Sequence, residues 1–216
     1  MSIVLKYGVR LLIIIFFLPF HEFAHGYVAH KLGDNTAKNS GRLTLNPLAH
    51  IDIFGLILSL LAGVGFAKAV PVNVRNFRPN QRKRNMALVA LAGPMSNILL
   101  AVVFVIVELI LDATGNNLMG SFSGNIAFIC NFCATCNVTL AVFNLLPVPP
   151  LDGSRILSIV LPDKYYFKIM QYERYTGIIF LALMFTGILD GFISTLAMYL
   201  YNGIYSIVSI PFNLLF

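Results

Sequence analysis

Two histidines and a glutamate, in the string His21-Glu22-Phe23-Ala24-His25, sit inside an apolar run from Leu11 to Val28. Residues four apart on a helix lie one above the other on the same face, so both imidazoles can reach a single cation. Glu22 stands beside them and can take the proton of an attacking water, the division of labour that makes H-E-x-x-H a signature of metal-assisted hydrolysis. The flanks, LLIIIFFLPF and FAHGYVAH, put this cluster at membrane depth. An ionisable group there costs roughly 2.5–3.5 kcal/mol on insertion scales and is as a rule functional and partnered. A chance pair of interfacial histidines would match the motif but would not explain that setting.

The composition agrees with a membrane setting. The 216 residues have a mean hydropathy of +0.81, are 58% hydrophobic and only 11% charged, which points to a polytopic membrane protein. The net charge of +6 does not indicate a nucleic-acid partner. The basic residues cluster between apolar spans, as topology signals do. Cys130, Cys133 and Cys136 all fall within one apolar span and read as small, polarizable packing residues, not as a disulfide framework. Lys6 and Arg10 ahead of LLIIIFFLPF resemble a signal-peptide start, but cleavage after that region would cut at the histidine motif, so an uncleaved segment is expected.

The elements that must position the motif are an all-α set of about five to six transmembrane helices, with a re-entrant segment and a small membrane-associated β-hairpin. Segment one covers about residues 3–32, long enough to cross a core of about 30 Å. Pro19 removes a helix donor just before His21 and opens a place for a kink. A polar loop over 33–50 ends at His50, expected to be interfacial and not a ligand. Residues 51–66 are apolar, short and broken by glycines, so they dip and return. Residues 67–77, AKAVPVNVRNF, alternate Val70, Val72 and Val74 with other residues, a period-two pattern that Pro71 limits to an edge strand. The strongest basic cluster, RPNQRKRN at 78–85, should face the cytoplasm. Spans follow at about 86–111 and 125–146, with apolar stretches at about 176–189 and 192–212. The prolines of Leu146-Pro147-Val148-Pro149-Pro150 end the second of those spans, and Asp152-Gly153 opens a short helix.

A catalytic zinc takes three protein ligands, so the histidines need a partner. The candidates are Glu108 and Asp112 at one end of the spans, and Asp152 and Asp163 near the basic end. If the N-terminus is outside, the histidine end of segment one descends to the cytoplasmic side, where Asp152 can meet it. Lys6 and Arg10 pull against that orientation.

Taken together, HEFAH, the Gly-Pro-x-x-Asn string at 93–97 and Asn-x-x-Pro-x-Pro-x-Leu-Asp-Gly at 144–153 resemble the site-2 protease family of intramembrane zinc metalloproteases. The resemblance covers about residues 11–160. It implies one zinc ion held by His21, His25 and Asp152, with Glu22 as general base. It further implies Asn144 as a contact for substrate or transition state, and Asn97 as a residue lining the same cleft. GFAKAVPVNVRNF is similar to the family's hairpin, with Phe66 and Ala69 where Trp and Pro are often found; its edge around Val70 and Val72 would hold substrate by strand addition. The expectation is a minimal member without an added regulatory domain: one metalloprotease domain over 1–216, its catalytic core at about 11–160 and its C-terminal helices at about 170–212. It would cleave transmembrane proteins or peptides in a prokaryotic cell membrane, with its active site toward the cytoplasm and no nucleic-acid partner. The alternative is a non-proteolytic membrane metal transporter or scaffold that uses the same ligands.

Overall fold

The computed structural model describes residues 8, 11–53, 55–57, 67–113 and 122–215. Within these the chain is helical, and three helices are long and apolar enough to cross a bilayer: Pro79–Ala113, Phe122–Leu145 and Asp190–Phe212. Most of the segment expected to re-enter, namely residues 54 and 58–66, lies outside the described residues, as does much of the N-terminal stretch.

Two compact units emerge. The first, residues 1–96 and 144–189, carries the histidine motif. Its leading helix, α1 (Leu18–Lys31), follows a π-helical turn over Ile13–Phe17, in which the Leu18 N–H bonds back to the Ile13 carbonyl. Pro19 sits in the first turn of α1, where its missing donor matters least. His21, His25 and Ala29 are buried along one stripe of α1, so the histidines belong to its packing face. Two short helices follow, α2 (Thr36–Asn39) and α3 (Pro47–His50), the latter capped by the Asn46 side chain accepting from the Leu48 N–H.

Instead of the hairpin expected over 67–77, residues 67–73 run without regular structure into a 3-10 turn at Val74–Asn76, and no strand forms among the described residues. The reason lies in where the backbone donors go. Lys68 N–H bonds to the His50 carbonyl, Val70 N–H to Glu22 and Asn73 N–H to Asp34, so they serve side chains and loops in place of a ladder. Two of the alternating valines are covered: Val70 is buried, and Val72 packs on a cluster of Ala29, Phe77 and Val89, whereas Val74 is exposed.

The long helix α4 (Arg82–Ala113) starts in this unit and α5 (Phe122–Leu145) ends in it. Beyond α5 come α6 (Asp152–Val160), α7 (Asp163–Gln171) and α8 (Glu173–Phe185). At 13 residues α8 reaches only about 20 Å, short of a bilayer core. The second unit, residues 97–143 and 190–216, contains the remainder of α4 and α5 together with α9 (Asp190–Leu215). In α5 the buried face is mostly small: Ala127, Cys130, Ala134, Asn137 and Ala141, spaced for close helix approach. Cys130 and Cys133 are buried there as free thiols, in keeping with a packing role. Leu99, Val103 and Ile110 on α4 and Ile207 on α9 are exposed, as lipid-facing side chains would be.

Candidate metal centre

His21, His25 and Asp152 converge in the first unit, and among the described residues they form the group of ligating side chains able to hold a metal. The Asp152 Oδ2 atom lies 3.1 Å from His21 Nε2 and 3.2 Å from His25 Nε2, and the two Nε2 atoms are 3.0 Å apart. A tetrahedral ion with bonds near 2.0–2.1 Å spaces its ligand atoms by about 3.3 Å, so this triangle is close to one face of such a shell. Two imidazole nitrogens and a carboxylate oxygen form a donor set suited to zinc. The donors are also oriented. His25 Nδ1–H donates to the Val89 carbonyl at 2.7 Å, which fixes the ring and leaves Nε2 with its lone pair toward the centre. Burial alone would raise the Asp152 carboxyl, but the two imidazoles beside it hold it well below the usual carboxylate range.

Two glycines make the convergence possible. A Cβ on Gly93 of α4 would lie 2.4 Å from His25 Nε2 and 2.5 Å from atoms of the His21 ring, so only a glycine admits both rings here. Gly153 plays the same part for Asp152: a Cβ there would meet the Leu145 carbonyl oxygen at 2.2 Å and that of Leu146 at 2.4 Å. The start of α6 can therefore lie against the end of α5, with Asp152 in its first turn. Neither glycine carries a chemical group. The visible signal is their place inside the Gly-Pro and Asp-Gly strings. Pro94, fully buried beside Gly93, deprives the Ala90 carbonyl of its usual donor, next to the Val89 carbonyl that orients His25.

Glu22 faces the strap. Its Oε2 accepts the Val70 N–H at 2.8 Å. One turn further along, a Cβ on Gly26 would meet Val70 Cγ1 at 3.1 Å, so the strap lies tight against this side of α1. The strap is pinned from both ends. Arg42 donates to the carbonyls of Lys68 and Ala69. The fully buried Asp34 accepts from Asn73 N–H at 2.6 Å, Asn76 Nδ2 at 2.7 Å, Thr36 N–H at 3.1 Å and the Thr36 hydroxyl. Burial opposes the ionised form of Asp34, yet these donors hold its carboxyl below its ordinary value. Sequence reasoning passed over Asp34, because an aspartate after Gly33 reads as turn chemistry.

The remaining candidates fall elsewhere. His50 is buried with Nε2 donating to the Thr44 carbonyl at 2.7 Å. Glu108 and Asn97 belong to the second unit, Asn97 fully buried on α4. Asn144 is half-buried at the end of α5.

Comparison with known proteins agrees with this centre. The pattern of peptidase family M50 matches residues 110–189. The chain is 45% identical over 168 residues to YwhC of Bacillus subtilis (strain 168), which is named as a candidate zinc metalloprotease, with 77% of this chain and 75% of that protein covered. It is 30% identical over 178 residues to Rip2 of Mycolicibacterium smegmatis, and 35% identical over 139 residues to MJ0611 of Methanocaldococcus jannaschii, both named likewise. The match spans 65% and 63% of those two relatives, just under two-thirds of their length. No solved structure matches the chain. The relatives' names and the donor set agree on zinc as the cofactor, and the chain belongs to peptidase family M50, the site-2 protease family.

Proposed function

We propose that this chain is a zinc-dependent intramembrane endopeptidase, acting as one domain over 1–216 on transmembrane proteins or peptides. The observation that carries the reading is the convergence of His21, His25 and Asp152 beside a glutamate whose carboxylate is already oriented by Val70. Gly93 lies eleven residues beyond the start of α4 at Arg82, about 17 Å along the helix from its basic end, which supports chemistry below the membrane surface.

Zinc, when bound, supplies Lewis acidity toward the scissile carbonyl and makes the attacking water acidic near neutral pH. The chain's own residues do the rest. Val70 N–H occupies one oxygen of Glu22 and leaves the other to take the water's proton and deliver it to the leaving amine. A substrate helix hides its carbonyls in internal hydrogen bonds and must unwind before attack. The backbone around Val70 and Val72 is the surface on which an unwound segment would lie, since the Val72 side chain is turned to the core. Asn144 would contact the substrate or the transition state, and Asn97 would line the cleft, as the family resemblance implies.

Glu22→Gln is the decisive variant: glutamine keeps the size and can still accept from Val70, but it cannot take the proton. Cleavage of a co-expressed transmembrane substrate should fall by about 10²–10⁴ while zinc content stays at the native level. Near-native cleavage by zinc-loaded Glu22→Gln protein would favour a transporter or scaffold that needs no base.

The same reading sets the orientation, with the N-terminus outside and residues 67–85 cytoplasmic. Single cysteines placed at Ser2 and Asn80, in a background lacking the native three, should be labelled from opposite sides of the membrane. Labelling from one side would overturn that orientation.

A further inference from the structure

A cavity of about 390 Å³ opens in the first unit, between the start of α4 and the helices α6 and α7. Its wall carries three cationic side chains, Arg82 and Lys83 from α4 and Arg155 from α6. Arg155 is anchored by an ion pair with Glu173 at 2.5 Å, and Arg82 reaches the Arg75 carbonyl at 3.4 Å. The rest of the lining is mainly apolar, with Met86 one turn into the membrane-crossing helix and Met170 opposite. Ser158 also lines the cavity. It is only 3% exposed, and its hydroxyl has no hydrogen-bond partner among the described residues. A buried hydroxyl left without a partner forfeits a hydrogen bond that a ligand oxygen can restore.

Cations, an unpartnered donor and an apolar floor at the basic end of a span together describe an amphiphile with an anionic head. We propose that this cavity is a binding site for an anionic phospholipid. The headgroup phosphate accepts from Arg82, Lys83 and Ser158, and the glycerol and upper acyl chain lie against Met86 and Met170. A free anion would leave the apolar floor uncovered, and a zwitterionic lipid would bring an ammonium group toward Arg82 and Lys83. The site is separate from the metal centre, and its occupancy does not depend on the protease reading.

The test uses the full-length, zinc-loaded protein in mild detergent, with lipid binding read by native mass spectrometry. Phosphatidylglycerol should bind at least about tenfold tighter than phosphatidylcholine. The pair Arg82→Gln/Lys83→Gln should abolish that preference, and Ser158→Ala, which removes one oxygen only, should weaken phosphatidylglycerol by a few-fold. Arg78→Gln/Arg84→Gln, two exposed residues of the same basic cluster that do not line the cavity, should leave it unchanged. Equal loss in this control pair would mean a general surface charge effect and overturn the site. So would the absence of any preference in the native protein. Displacement of phosphatidylglycerol by millimolar inorganic phosphate would assign the cavity to a free anion instead. If the Arg82/Lys83 pair loses zinc or elutes as aggregate, Ser158→Ala and the phosphate competition decide on folded protein.

Discussion

Two polar clusters lie partly buried in this apolar chain, and they are built on opposite principles. In the second unit Glu108 accepts from Asn131 Nδ2 at 2.9 Å and from the Tyr201 hydroxyl at 3.4 Å, while Asn131 also donates to Tyr201 at 2.6 Å. Each carboxylate oxygen there meets a donor, and the cluster ties α4, α5 and α9 together with nothing added. In the first unit three ligand atoms face one another at 3.0–3.2 Å, each able to offer a lone pair, while His25 donates through its other ring nitrogen to the Val89 carbonyl. Three acceptors at that distance repel unless a cation or a proton sits among them. Both clusters contain a partly buried carboxylate on a helix, so the presence of a charge does not distinguish them. The mismatch of donors and acceptors does.

The largest expected effect tests that contrast directly. Asp152→Ala should lower bound zinc from about one per chain to near none and abolish cleavage, since two histidines alone leave the shell incomplete. Glu108→Ala should keep zinc and cleavage, and cost about 1–3 kcal/mol of stability by stranding the donors of Asn131 and Tyr201. Metal analysis of both proteins after gel filtration settles the pair; zinc lost from Glu108→Ala but kept in Asp152→Ala would reverse the two roles.

Glycines sharpen the contrast at the next scale. Replacing a mid-helix glycine by alanine ordinarily gains up to about 1 kcal/mol. Gly203 of α9 has open space around its missing Cβ, so Gly203→Ala should raise the unfolding temperature slightly. Gly93→Ala should do the reverse. A methyl group 2.4 Å from His25 Nε2 must push the rings aside, and displacement of about 1 Å costs on the order of 10²-fold in rate. Zinc affinity and cleavage measured for both variants would show it. Native zinc affinity in Gly93→Ala would mean that α4 can retreat from the histidines.

The residues proposed as metal ligands and base could be picked out in the sequence because their chemistry is carried by residue types at fixed spacing, and the structure brings His21, His25 and Asp152 together. What positions them was harder to see. Gly93 contributes only the absence of a Cβ, and a glycine in an apolar helix reads as a weak point. Val89 acts through a carbonyl that every residue possesses. The strap misled for a physical reason: Val70, Val72 and Val74 alternate as an edge strand does, but only Val70 and Val72 are covered, Val74 is exposed at the start of a 3-10 turn, and the backbone donors are taken by Glu22 and Asp34. Period two reports which side is covered, not whether a neighbouring strand does the covering.

The smallest effect belongs to Tyr201→Phe, and it tests whether the second cluster is only structural. The change removes one hydroxyl and keeps the ring, which stacks on Tyr205 with centroids 6.1 Å apart. Asn131 retains its 2.9 Å bond to Glu108 Oε1, so the carboxylate stays partnered after the hydroxyl is gone. The bond that Tyr201 itself donates to Glu108 is long, at 3.4 Å, so the loss falls chiefly on the Asn131 contact. Interhelical hydrogen bonds within membranes average about 0.6 kcal/mol and reach about 1.7, and Tyr201→Phe should fall in that range. Thermal unfolding in detergent reads the stability, with zinc content and substrate cleavage measured on the same preparation. Both of the latter should match the native protein, because every member of the cluster already has its complement without a metal. A clear loss of zinc or of cleavage with stability preserved would show that the two clusters are coupled, and the division into a metal-requiring and a self-sufficient site would fail.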